Sequence, residues 1–277
     1  MISARTIIAT AVLALTAGAA AAQPVLIRNA RVHTMSAAGV IENGDVLLND
    51  GVVVQVGVEV APPAGATVIE AAGKVVTPGI FAAYSTLGLE ELSLDGEAND
   101  ASTRDNFPLS ASLDATDAFN NTSSLIAINR AGGVTRALTT PEPGSKIFGG
   151  RAAVVDLSGR IASVTLAGAA QNAVLGYQGA TRTGDSRLGA FAVIREYFDE
   201  AKAYAANPRD YKSRARDNDM TFADLEALIP VVEGRQPILL AADSAVDLRG
   251  IIRLKTDYNI NVIVLGGTEA WRVAGEL

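Results

Sequence analysis

The sequence predicts an α/β protein in which a small all-β module precedes a layer of alternating strands and helices. Three observations carry this. From Val25 to Val76 the chain runs in short apolar stretches separated by turn residues, without helical periodicity. After Gly79, apolar runs of strand length alternate with segments of helical spacing, the pattern of parallel strands joined by crossover helices. A hydrophobic content of 49% over 277 residues supplies enough apolar material for a sizeable core. The expected organisation is a targeting segment over 1–22, a β-module over 23–75 and the strand–helix layer over 76–277.

The first segment, MISARTIIATAVLALTAGAAAA, has one basic residue, Arg5, then a mostly apolar run from Ile7 to Ala17. Ala20-Ala21-Ala22 before Gln23 fits the small-residue pattern of a cleavage site. The run is shorter than the roughly 20 strongly apolar residues a membrane span needs. It therefore reads as a signal peptide cleaved between Ala22 and Gln23, giving a periplasmic or secreted protein. Loss of Arg5 takes the formal charge from -7 to -8.

In the β-module, strands are expected in VLIRNARVHT, GDVLLND, GVVVQVG and TVIEAAGKVVTPG, with Asn49-Asp50-Gly51 as a hairpin turn. Pro62-Pro63 and Gly65 punctuate the next link. Farther on, TSSLIAINRA reads as a helix capped by Asn121 or Thr122 and stopped by Gly132-Gly133. GGVTRALTT, RAAVVDL and ASVTLAG read as strands. Ser186 to Ala206 is the strongest helical pattern, ended by Asn207-Pro208. Thr221 caps a further helix that Pro230 is expected to kink or end. RQPILLAAD is a strand, AVDLRGIIRLKTDYN a helix and INVIVLGG a strand. EAWRVAGEL opens a final helix, with Trp271 expected in the core.

Composition excludes several chemistries. A net charge of -7 offers no footprint for a phosphate backbone, so no nucleic-acid partner is expected. The absence of cysteine removes disulfides, thiolate nucleophiles and zinc-thiolate sites. The single histidine, His33, lies in the first strand and reads as structural; one histidine could serve a triad but cannot furnish three or four imidazole ligands. No G-x-G-x-x-G follows a strand. The acidic stretch from Glu90 and Glu91 through Asp95, Glu97, Asn99, Asp100 and Asp105 reads as a solvated loop, with a hard cation as the alternative. Gly144, Ser145, Lys146, Gly149 and Gly150 read as turn structure, because the P-loop and nucleophile-elbow spacings are missing. Asp243, near a strand end with Asp247 beyond it, reads either as a general base or as a helix cap beside Ser244.

Four stretches together resemble the amidohydrolase superfamily, in its imidazolonepropionase-like and prolidase-like branch. They are VLIRNARVHTM with GDVLLNDGVVVQVG, then AAGKVVTPGIFAAYSTLG, then AGGVTRALTTPEPGSKIFGG, and QPILLAADSAVDLRGIIRLKTDYNINVIVLGGTEAW. The resemblance covers about residues 25–277. It implies a distorted (β/α)8 TIM-like barrel beside a small β-sandwich that both chain ends help to build. It also implies hydrolysis of amide or other C–N bonds by a hydroxide bound to zinc or another divalent metal. The family's His-x-His positions after Pro78-Gly79 correspond here to Tyr84 and Thr86. Its later strand-end histidines correspond to Ala241 and Gly266. No catalytic residue, cofactor-binding residue or metal ligand is therefore assigned, and no cofactor is expected. Residues 76–277 number 202, whereas such a barrel takes about 250. The expectation is an incomplete barrel of about six strands, either a fragment or a chain completed by an amidohydrolase paralogue or a second copy of itself. Two functional readings follow: an exported hydrolase by family, degenerate in this chain, or a non-catalytic binding or scaffold subunit.

Overall fold

The computed structural model describes residues 23–92, 96–104, 107–213 and 220–277. The segment read as a signal peptide, together with Asp95 and Asp105, lies outside the described residues. The chain divides into two compact units between Pro78 and Gly79.

The first unit is a five-stranded sheet of β1 (Val25–His33), β2 (Val40–Asn49), β3 (Val52–Gly57), β4 (Thr67–Glu70) and β5 (Val75–Val76). The order is β3-β2-β1-β4, with β5 also on β1. β2 runs antiparallel to β1 and β3, whereas β4 and β5 run parallel to β1. Asp50 and Gly51 turn the β2–β3 hairpin at φ 49° and 77°. That double positive φ is what a two-residue turn matched to strand twist requires. Ala30, Val32, Val46 and Ala71 form its core. Asp45, 2% exposed, accepts from the Asn29 amide (3.0 Å) and the Val60 amide (2.9 Å), so its burial is compensated by hydrogen bonds. His33, half-buried, ends β1 opposite Val40.

The second unit contains β6 (Ile80–Ser85), α1 (Ala115–Ala118), α2 (Ser124–Ala131), β7 (Val134–Thr139), β8 (Phe148–Asp156) and β9 (Val164–Val174). It continues with α3 (Gly176–Ala180), α4 (Arg187–Ala206), α5 (Pro208–Ser213), α6 (Phe222–Val232), β10 (Ile238–Ala242), α7 (Ala245–Tyr258) and β11 (Val262–Gly266). The strands form one curled, half-barrel sheet in the order β11-β10-β9-β8-β7-β6. The expectation of uniformly parallel strands fails at β8, which is antiparallel to both neighbours. Its flanking links, 140–147 and 157–163, are shorter than the dozen or so residues a crossover needs. Elsewhere β6 and β7 are parallel, as are β9, β10 and β11.

Burial follows the strand period of two. Ile238, Leu240 and Ala242 of β10 join a cluster with Phe148, Ile194, Phe198, Leu225 and Leu248. Leu239 between them joins Leu138, Ala152 and Ala170 in another.

Helix ends show where side-chain chemistry decided and where the sequence pattern misled. α2 is capped by Ser123, whose hydroxyl accepts from the Leu125 amide, rather than by Asn121 or Thr122. Asn120 takes the Thr122 amide and hydroxyl into the preceding turn, so Thr122 is not available as a cap. α4 starts after Ser186 and ends at Asn207; Pro208 then opens α5, a position where its missing N–H costs nothing. Pro230 does not end α6, which runs on to Val232. It lies in the last turn, and its own carbonyl accepts from the Arg235 and Gln236 amides as the chain leaves the helix. After β11 the expected helix is only a single 3-10 turn over Ala270–Arg272. Trp271 is therefore 77% exposed, not in the core: one turn has no second apolar residue in register with it to bury. Among the described residues no helix is long and apolar enough to cross a membrane.

One buried carboxylate fixes the loop below the helix layer. Asp224, 0% exposed, completes a capping box with Thr221 through Oδ2. Its Oδ1 accepts from the Ser110 amide (2.9 Å), the Ser112 amide (2.9 Å) and the Ser112 hydroxyl (2.8 Å). Asp224→Ala leaves those donors unpaired, and each charged hydrogen bond is worth about 1.5–3 kcal/mol. We expect Asp224→Ala to lower stability by about 3 kcal/mol in urea unfolding. A loss below about 1 kcal/mol would mean that the 110–112 loop is not anchored this way.

Candidate functional site

In a sheet of this kind, functional groups collect at the carboxyl ends of the parallel strands. Here those ends are Tyr84–Thr86 at β6, Thr139 and Thr140 at β7, Leu175 after β9, Ala241–Asp243 at β10 and Gly266 at β11.

Tyr84, 39% exposed, lies in the irregular register between β6 and β7. Partial burial of its phenol, then the Glu142 carboxylate, raise its pKa above the usual value, while the Asn172 amide opposes them. Burial and the carboxylate thus favour the neutral phenol. Asn172, 1% exposed on β9, donates to the Pro141 carbonyl at 2.8 Å. The Thr86 hydroxyl is already committed to Glu90 Oε2 at 3.0 Å. Ala241 presents only a methyl group, paired across the sheet with Val174 and Leu265.

Gly266 is more restrictive still. Its φ is +80°, and a Cβ built there would lie 2.6 Å from Asp243 Oδ1. Any side chain at 266 would meet both backbone strain and a carboxylate oxygen. Asp243 holds that position because Oδ1 accepts from the Thr268 hydroxyl (2.7 Å) and amide (3.3 Å). Asp243 is therefore not the cap of α7. Ser244 is, accepting from the Asp247 amide at 3.2 Å. Glu269 Oε2 satisfies a second first-turn donor, the Ala245 amide, at 2.8 Å.

The acidic stretch is tied into the loop by hydrogen bonds. Glu91 accepts from Asn120 and Ser124, both at 3.4 Å, and Asn99 Oδ1 accepts from the Ala101 amide at 2.9 Å. Among the described residues no group of three or more His, Asp or Glu side chains is placed to hold a metal ion. Lys146 donates to the Pro108 carbonyl at 2.8 Å. The turn expectation is corrected at Gly149 and Gly150, which belong to β8. A Cβ there would lie 2.5 Å from the Pro141 carbonyl and 2.7 Å from the Leu113 carbonyl, so these glycines serve close backbone approach within the strand.

Beside these strand ends opens a cavity of about 1120 Å3, bounded by α3 and by the first turns of α4 and α7. Its apolar lining includes Leu175, Ala241, Ala242, Leu188, Phe191 and Val246. Arg187 enters it from α4, its Nη1 3.4 and 3.5 Å from the two oxygens of Asp247, which is 4% exposed. The Ser244 hydroxyl donates to Asp247 Oδ2 at 2.6 Å. Sequence reasoning placed Asp247 after the strand but did not single out Arg187. The available signal was an arginine directly after the helix-opening Ser186, sixty residues before its partner.

No protein-family model and no curated protein matches this sequence. Among solved structures, the chain is similar to an amidohydrolase from Thermotoga maritima MSB8, with 25% identity and a TM-score of 0.75 over 90% of this chain and 66% of that one. It also aligns with N-isopropylammelide isopropylaminohydrolase from Burkholderia multivorans ATCC 17616, at 14% identity over 87% of this chain and 60% of that one. That second TM-score, 0.34, is too low to define a shared chain trace.

The depressed carboxylates of the strand ends give a pH prediction. Hydrogen bonds from Thr268 lower the pKa of Asp243, and the Ala245 amide, followed by Arg272, lowers that of Glu269. Their contribution is complete above the unfolded carboxylate pKa, about 4, and disappears as pH falls through the lower folded values. Asp243→Asn should therefore flatten the acid side of the stability profile below about pH 4 and leave its alkaline side unchanged. An acid limb with the same slope in both proteins would refute the Asp243–Thr268 tie. Over 90% of its length, this chain shares its fold with a solved amidohydrolase and spans 66% of that protein's length.

Proposed function

We propose that this chain is an exported amidohydrolase-type protein, of the imidazolonepropionase-like or prolidase-like branch, that binds ligands or partners without metal-dependent hydrolysis. The observation that carries the reading is the chemistry at four strand-end positions. Tyr84 offers a neutral phenol, Thr86 a hydroxyl bonded to Glu90, Ala241 a methyl group and Gly266 no side chain. A divalent ion that activates water is held by imidazoles and carboxylates, and this donor set does not fit one. The chain's single histidine, His33, belongs to the other unit. The crowding of Gly266 by Asp243 adds that the position has no room for a ligand. Export rests on the signal-peptide pattern of residues 1–22 and places the protein in the periplasm or outside the cell.

The experiment is metal analysis of protein purified from medium supplemented with zinc and manganese. We expect well below stoichiometric metal after dialysis, and no C–N bond hydrolysis that depends on added metal. Stoichiometric metal that resists dialysis would refute the reading.

A partner is also proposed, either an amidohydrolase paralogue or a second copy. Support comes from the sheet edges. β6 and β11 end the strand order, and Ile80, Phe81 and Ile263 on them are 57%, 47% and 45% exposed. Open apolar edges favour pairing with another strand. Light scattering on the purified chain should give a mass above that of one chain, or give it on adding the paralogue. A single-chain mass in both cases would remove this part of the proposal.

A further inference from the structure

We propose that the cavity beside β9 and β10 binds a small amphipathic monocarboxylate, with its carboxylate on Arg187 and its apolar body against Leu188, Phe191 and Val246. This rests on the reading that the protein binds rather than hydrolyses.

A volume of about 1120 Å3 accommodates a small organic molecule, for which sites of roughly 300–1,000 Å3 are usual. Around its mouth Tyr177, Leu188 and Val246 are 81%, 84% and 64% exposed. Large apolar side chains grouped around one concavity mark a binding surface more than chance exposure does. They project from three helices packed on the sheet, so their spacing is fixed without a ligand.

The polar part of the lining selects the charge. Arg187 is 52% exposed along its side chain and donates only through Nη1, at 3.4–3.5 Å, to Asp247 and Ser244. Its Nε and Nη2 make no hydrogen bond among the described residues. That leaves a planar pair of donors matched to one carboxylate. Asp247, held by Ser244, orients the guanidinium but has both oxygens engaged. Asp243 is committed to Thr268. Arg253 supplies a second positive charge to the lining and has no partner among the described residues. Asp185, also in the lining and unpaired among the described residues, opposes a second negative charge on the ligand. A monoanion therefore fits better than phosphate, and a cation would leave the Arg187 donors unused.

The test is calorimetric titration of the purified chain with hexanoate, hexylamine and inorganic phosphate. Hexanoate is expected to bind with a dissociation constant of roughly millimolar or tighter, and the other two not to bind. Arg187→Gln should weaken hexanoate about tenfold or more. Because that change also disturbs Asp247, Leu188→Asn provides a second variant at a solvent-exposed position. It should weaken hexanoate several-fold and leave the thermal midpoint unchanged. No hexanoate binding, equal affinity in both variants and the parent, or tighter binding of hexylamine or phosphate would each overturn the proposal. Metal content measured on the same samples separates the two readings: stoichiometric zinc with hexanoate binding intact sinks only the metal-free reading. Absent binding in zinc-free protein sinks only this one.

Discussion

The tie between the ends of β10 and β11 constrains the rest of the strand-end face. Gly267 donates its amide to Ala242, Glu269 donates its amide to the Asp243 carbonyl, and Thr268 gives two donors to the Asp243 carboxylate. Glu269 then reaches across to the first turn of α7. These bonds satisfy polar backbone groups at two strand ends and one helix start. They also fix Gly266 at positive φ with an oxygen where its Cβ would stand. Asp243 and Gly266 are therefore interdependent. A side chain at 266 would have to displace the carboxylate, and losing the carboxylate would release the loop that carries Thr268 and Glu269.

How much of this is visible in the linear sequence depends on whether the information is local. The Asp50-Gly51 hairpin, the helix from Arg187 and the capping role of Thr221 are set by residues within a few positions of one another, and each forms where its pattern says. The reversal of β8 depends on the length of two links and on pairing partners distant in sequence, which periodicity does not encode. β9 shows the same limit. Its predicted stretch stops at Gly168, yet the strand runs to Val174 and buries Gln171 and Asn172, at 0% and 1% exposure. Gln171 does so with neither side-chain polar atom hydrogen-bonded among the described residues, and a buried unsatisfied group costs on the order of 1–3 kcal/mol. Propensity cannot foresee a strand that accepts such a cost for its place between β8 and β10. Trp271 errs the other way, since large apolar surface reads as core unless the tertiary structure offers somewhere to bury it.

The site divides along the same line. Tyr84, Thr86, Ala241 and Gly266 are picked out in the sequence only by the family resemblance, and their chemistry comes from contacts: Glu142 and Asn172 for the phenol, Glu90 for the threonine, Asp243 for the glycine. The cavity beside them had no sequence signature, because its lining is drawn from α3, α4, β10 and α7, and those elements meet only in the fold.

That contrast bears on where on this face a ligand gains most. At the strand ends most donors are spent internally: Thr268 on Asp243, Ala245 on Glu269, Thr86 on Glu90. A surface whose polar groups are already paired gains little from a ligand, because each new hydrogen bond must replace an existing one. Arg187 is an exception, attached to Asp247 through one nitrogen at long range and otherwise facing a cavity rimmed by exposed apolar residues. Unspent donors beside apolar surface are where a ligand changes the free energy most, since it both satisfies the fork and removes hydrocarbon from water. On that reasoning the proposed binding site lies in the space between α4 and α7, beside the ends of β9 and β10.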